Sequence, residues 1–127
     1  MEFPKELKYA ETDEWVRIEG DVAVVGLTDF AQDQLSDLVY FEALVEVGDT
    51  VDVEDNLATV ESVKSAGDVL SPVAGEIIEI NTELEDEPEI VNTAPFSEGW
   101  MFKIKLSGPI DDEDLLDADE YQEKCEE

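Results

Sequence analysis

Between Val22 and Leu106 the chain is cut into short runs rich in β-branched and aromatic residues, each bounded by Gly, Pro, Asn or Asp. Runs that short can bury a face as strands but not as amphipathic helices, so the middle of the chain is read as β-structure. Val22-Ala23-Val24-Val25-Gly26-Leu27 is apolar throughout, the signature of a strand covered on both faces, and it is expected at the centre of a sheet. Leu38–Val45, Leu57–Ser62 and Gly75–Ile80 are further strand candidates. Trp100–Leu106 alternates, predicting Trp100, Phe102, Ile104 and Leu106 on one face and Met101, Lys103 and Lys105 on the other. Two helices are expected. Thr28-Asp29 supplies capping oxygens ahead of Phe30–Leu35, and the acid-rich start of Asp111–Glu123 suits a helix N-terminus. The segments Val47–Val51 and Val73–Ile77 are loosely alike, each a small turn running into a β-rich stretch.

A length of 127 residues fits a single domain, 1–127. No stretch is apolar for long enough to cross a bilayer, and Met1–Leu7 lacks a secretory pattern, so a cytoplasmic protein is expected. The single cysteine, Cys125, and the lack of histidine rule out an internal disulfide and a Cys/His zinc site. Against 36 acidic residues stand 7 basic ones, a formal charge of -29 that repels nucleic acid. Acidity of this order can signal disorder, but 43% apolar and 8% aromatic residues supply the core material that disordered chains lack. A folded surface so charged repels itself in dilute buffer and is relieved in molar salt, where the Debye length is about 3 Å. A salt-rich cytoplasm is therefore expected.

From Ile18 through Phe102 the sole basic residue is Lys64. It lies between the β-rich run Leu57–Ser62 and Val69-Leu70-Ser71-Pro72, with Gly67 easing the return, which predicts the tip of a hairpin at about 57–72. An amine at such a tip is open to a modifying enzyme and can later move between partner sites. The bland alternative is that Lys64 offsets Glu61 or Asp68, an exposed pairing worth about 0–1 kcal/mol. A nucleophilic lysine would need an apolar pocket or a neighbouring cation, and the surrounding acids provide the reverse.

Glu61-Ser62-Val63-Lys64-Ser65-Ala66 resembles the lipoyl-attachment motif of glycine cleavage H proteins, and Asp68–Glu76 resembles the stretch that follows it. Tyr9–Val16, Val25–Gln32, Val91-Asn92 and Glu98–Lys105 also resemble that family, in the same order. Biotin carriers favour methionines around their lysine and acyltransferase lipoyl domains an Asp-Lys pair, whereas Val63 and Ser65 flank Lys64 here. The resemblance implies an all-β fold, a flattened barrel-sandwich hybrid with short helices near the N-terminal third and at the C-terminus. It implies lipoic acid in amide linkage to Lys64, with Glu61, Val63 and Ser65 as motif context. Thr12, Glu14 and Asp68 match positions bordering the family's arm-holding cleft, where a carboxylate could bind a charged amine. The bland reading of Glu14 is a solvated strand-edge acid. The family often has His before this Glu-Trp pair, and Asp13 stands here instead. Trp15 and Trp100 are read as core or rim aromatics.

The role implied is a non-catalytic carrier, expected to be a monomer. It would shuttle the aminomethyl group of glycine from a pyridoxal-phosphate glycine decarboxylase to a folate-dependent aminomethyltransferase. A dihydrolipoyl dehydrogenase would reoxidise the arm, and a lipoate-attaching enzyme would install it. The same features fit a lipoate relay or donor for other lipoyl complexes. An enzyme is disfavoured by the lack of histidine and of a Gly-rich phosphate loop. Glu83–Glu87 and Asp111–Asp114 offer hard oxygen ligands to a divalent cation, but neither has EF-hand spacing, and solvated faces are the plainer reading.

Overall fold

Val22–Leu27 (β3) lies inside a six-stranded sheet, and the rest of the architecture follows from covering its two faces. The structure is a computed structural model and describes residues 2–108 and 115–126. The sheet also contains Lys8–Tyr9 (β1), Glu14–Glu19 (β2), Thr50–Val51 (β5), Gly75–Ile80 (β8) and Phe102–Leu106 (β9), in the order β1-β2-β3-β9-β8-β5. Leu38–Ala43 (β4), Asn56–Ser62 (β6) and Ala66–Leu70 (β7) form a second sheet in the order β4-β6-β7. All the pairings are antiparallel. Asp29–Leu35 (α1), Glu83–Asp86 (α2), Ile90–Thr93 (α3) and Ala118–Glu126 (α4) complete the described elements. The main core lies between the sheets, where Val25, Ile77 and Ile104 meet Phe41, Leu57 and Val60. The architecture is mostly β with short flanking helices, and its two sheets do not close into a barrel.

The outer face of β3 is covered by a second apolar cluster, so the unbroken apolar run has a physical cause. Val24 packs there with Leu7, Tyr9, Trp15 and Tyr121, while Ala23 and Val25 face the main core. Tyr9 stacks on Tyr121 of α4, ring centroids 4.7 Å apart and nearly parallel at 4°. Trp15 lies directly over Gly26, where a Cβ would come within 2.8 Å of the indole. A bare backbone at this one position lets the largest core side chain lie flat on its neighbouring strand.

The first predicted helix is present, with Thr28 as its cap: its hydroxyl oxygen accepts from the Ala31 N–H at 3.1 Å. The C-terminal one starts later than expected. Leu116 pairs with Tyr9 in an isolated bridge, which holds the chain extended, and α4 begins at Ala118. Asp117 and Glu120 then cap it reciprocally, each carboxylate accepting from the other's N–H, at 2.8 and 3.3 Å. Residues 111–114 of the predicted helix lie outside the described residues.

The alternation over Trp100–Leu106 also needs a correction. Phe102 and Ile104 are buried and Lys105 is exposed, as the pattern predicts, but Met101, expected on the wet face, is fully buried. The ladder begins only at Phe102. Ahead of it, Asn81 donates from its side chain to the carbonyls of Glu98 and Trp100, at 2.9 and 2.7 Å, and from its backbone to that of Met101. That irregular anchoring turns Met101 inward and leaves Trp100 half-buried against the second cluster. The single-turn helices α2 and α3 have no counterpart in the sequence reading, because four residues carry no helical period; each buries one apolar residue, Leu84 and Val91. The two look-alike segments turn out to be partners, with Thr50 opposite Glu76 and Val51 opposite Gly75. No helix among the described residues is long and apolar enough to cross a membrane.

Candidate functional site

Strands β6 and β7 form the predicted hairpin, with Val60 opposite Gly67 and Glu61 opposite Ala66, and Lys64 sits at its tip. The turn is built by Ser62. Its N–H donates to the Ser65 carbonyl at 2.7 Å, and its Oγ accepts from the N–H groups of Ser65 and Lys64 at 2.9 and 3.3 Å. Glu61, Val63 and Ser65 are the motif context expected around the lysine, but Ser62, which the motif and the strand candidate also contain, is the residue that builds the turn. The available signal was a serine opening a four-residue turn, a recurrent way for a short side chain to replace missing backbone partners. Val63 is 68% exposed, and its N–H donates to the Asp37 carbonyl at 3.1 Å, which ties the tip to the bend after α1. Lys64 is exposed, and no ion pair among the described residues involves it, so neither Glu61 nor Asp68 holds it. An exposed primary amine on a turn fixed by its own backbone fits a residue that must be acylated.

Beside the hairpin lies a cleft of about 200 Å³ between β7 and α1, bordered by Thr12, Asp13 and Asp68, with Leu35, Val60 and Gly67 beneath. Two residues lie between Lys64 and Gly67, a span of at most roughly 10 Å even if fully extended, so a long acyl arm on Lys64 can reach it. A Cβ at Gly67 would be 3.6 Å from Leu35 Cδ2; the absent side chain keeps the floor open. Gly67 and Val69 face inward, so Asp68, alternating with them, meets the cleft at its rim.

Of the three residues expected around the cleft, Thr12 and Asp68 border it and Glu14 does not. Glu14 is fully buried, neither a rim carboxylate nor a solvated strand-edge acid. It lies behind Thr12, accepting a hydrogen bond from the Thr12 hydroxyl on one oxygen and from the Leu70 N–H at 3.3 Å on the other. Burial pushes its carboxyl up to about 7, against the pull of those hydrogen bonds. Asp13 has a structural task. Its backbone is left-handed at φ 76°, its carboxylate accepts from the Tyr121 hydroxyl at 2.9 Å, and Lys124 Nζ lies 3.6 Å away. Tyr121 in turn shares a 2.6 Å hydrogen bond with Thr28, so Asp13 fastens α4 to the cleft edge. Trp15 is buried, its Nε1 donating to the Pro95 carbonyl at 2.8 Å, and Trp100 is a rim aromatic with Lys103 Nζ 5.0 Å from its ring centre.

A hairpin lysine beside a cleft is common to several prosthetic-group carriers, and the remainder of the chain decides between them. The sequence model described as "Glycine cleavage H-protein" matches residues 7–127. The chain belongs to the glycine cleavage H-protein family. It is 54% identical over 123 residues to the glycine cleavage system H protein of Nitratidesulfovibrio vulgaris (strain DP4), covering 97% of this chain and 94% of that one. With its namesake from Psychrobacter sp. (strain PRwf-1) it shares 55% identity over 120 residues, 94% of each chain. Its fold is similar to the crystal structure of a glycine cleavage system H protein from Mycobacterium marinum, with a TM-score of 0.84 at 33% identity, covering 95% of this chain and 97% of the other. Membership makes the protein a lipoyl-carrier subunit of the glycine cleavage system and not a catalyst. No cluster of three or more acidic, Cys or His side chains among the described residues is placed to hold a metal; Asp111–Asp114 lies outside them.

Proposed function

We propose that Lys64 carries the lipoyl group as an amide, and that the cleft bordered by Thr12 and Asp68 receives the arm between visits to partner enzymes. The observation that carries this reading is the exposed Lys64, in no ion pair among the described residues, on a hydrogen-bonded four-residue turn within arm's reach of an open groove. When bound, lipoic acid supplies a reducible disulfide at the end of a long tether. The chain's own residues do the rest. Ser62 and the Asp37 carbonyl fix where the tether starts. Leu35, Val60 and Gly67 offer an apolar bed that excludes water, and Thr12 and Asp68 offer polar contacts at its rim. Glu14 lies behind that rim and polarises the Thr12 hydroxyl.

The partners of this reading are the decarboxylase, the aminomethyltransferase, the dihydrolipoyl dehydrogenase and a lipoate-attaching enzyme, visited by a monomer of one domain, 1–127, in a salt-rich cytoplasm. With 36 acids on so small a fold, the thermal midpoint should rise steadily from dilute to molar KCl; a midpoint that stays flat or falls counts against the halophilic part of the proposal. The attachment itself is tested by mass mapping of the peptide spanning Lys64 in protein from its native source. A lipoyl mass on Lys64 is expected. A biotinyl mass, or a bare lysine in every preparation from growing cells, overturns it.

A further inference from the structure

The Asn92 side chain makes three hydrogen bonds, which gather α1 and the bend that follows it. Its Oδ1 accepts from the Leu38 N–H at 2.8 Å, and its Nδ2 donates to the Ser36 carbonyl at 2.8 Å and to Gln32 Oε1 at 2.9 Å. The bend needs fastening, because Ser36 is a non-glycine residue at φ 70°. One residue further, the Asp37 carbonyl accepts from Val63, the residue before Lys64, and Leu38 pairs with Ser62. A continuous path therefore runs from α3 through the bend to the hairpin tip.

We propose that Asn92 is a positioning residue for the carrier lysine: by locking the 36–38 bend it fixes the orientation of the Val63-Lys64 tip against α1. The inference rests on Lys64 being the attachment point. Ser62 closes the turn by itself, so the hairpin survives without Asn92; what is lost is the tip's registration with Leu35, the wall of the cleft. Freed of the Asp37 contact, the tip would pivot about the ends of β6 and β7 with their ladder intact. An enzyme that acylates a lysine must meet it in a defined pose, and small misplacements cost rate.

The test compares Asn92→Ala with Val24→Ala, a cavity variant in the second cluster that touches neither bend nor tip. Amide hydrogen exchange and lipoylation by a lipoate–protein ligase with lipoate and ATP are read on both. In Asn92→Ala, exchange at Val63 and Leu38 should rise about tenfold or more while the β3 amides keep their protection. Lipoylation kcat/KM should fall about tenfold. Val24→Ala should lose thermal stability and keep both tip protection and lipoylation. Unchanged Val63 exchange in Asn92→Ala, or wild-type lipoylation despite a loosened tip, overturns the inference. Wild-type protein that the ligase does not modify refutes the attachment reading instead, and the exchange data still decide the clamp. Should Asn92→Ala not accumulate, exchange in the wild-type chain decides: Leu38 and Val63 should open together with matched protection, and unrelated values overturn the proposal.

Discussion

Replacing Lys64 with arginine is expected to abolish lipoylation and glycine-dependent NADH formation in the reconstituted system, with folding stability unchanged within about 0.5 kcal/mol. Arginine keeps the positive charge and most of the length, so the surface field and the turn survive. What it cannot supply is a deprotonatable primary amine, because the guanidinium stays charged at any pH the protein meets. The Ser62 turn uses only the backbone of Lys64, and the Lys64 side chain holds no ion pair among the described residues, so nothing structural is at stake. The measurement is NADH formation from glycine with the other components supplied, beside a thermal melt. Activity persisting in Lys64→Arg would sink the attachment reading. Loss of activity with loss of fold would assign Lys64 a structural task.

That the lysine was visible in advance and parts of its surroundings were not has a physical reason. Lys64 stood out because composition had cleared every other cation from Ile18 through Phe102. The strands were legible because β-branched runs between turn formers leave a local signature, and β3 was placed centrally because its run has no polar face. The cleft is a meeting of Thr12, Leu35 and Gly67, distant along the chain, and no local period encodes such a contact. Family resemblance brought Thr12, Glu14 and Asp68 together, but it could not say which of them face solvent. Glu14 illustrates the gap: beside Asp13, at the start of a strand, it reads as one acid among 36, and only the packing of Leu70 and Thr12 around it reveals a buried carboxyl. Asn92 lies within a block that resembles the family, yet its three bonds to α1 and the bend after it depend on α3, a helix too short to be read from sequence.

Burial of Glu14 sets the second large expected effect. Its carboxyl is raised from 4.5 to about 7 on folding, so the folded chain holds a proton that the unfolded chain has released across that window. The native state is then favoured most below pH 4.5, loses that advantage as pH rises toward 7, and beyond 7 carries a buried charge costing on the order of 3 kcal/mol. Glu14→Gln removes the ionisation while leaving an acceptor for the Leu70 N–H and an amide that can donate to the Thr12 hydroxyl. In molar KCl, which screens the other acids equally in both proteins, the variant should match wild type near pH 4.5 and exceed it by roughly 1–3 kcal/mol at pH 8, the lower end reflecting imperfect replacement of the hydrogen bonds. Denaturant titrations at a series of pH values give the difference curve directly, and curves that run parallel from pH 4 to 8 would show that Glu14 does not titrate differently on folding. Glu14 lies one hydrogen bond behind the Thr12 hydroxyl at the rim of the proposed arm cleft. A cation seated there would hold Glu14 ionised at neutral pH and lower its pKa, turning a cost in the empty cleft into binding energy in the filled one.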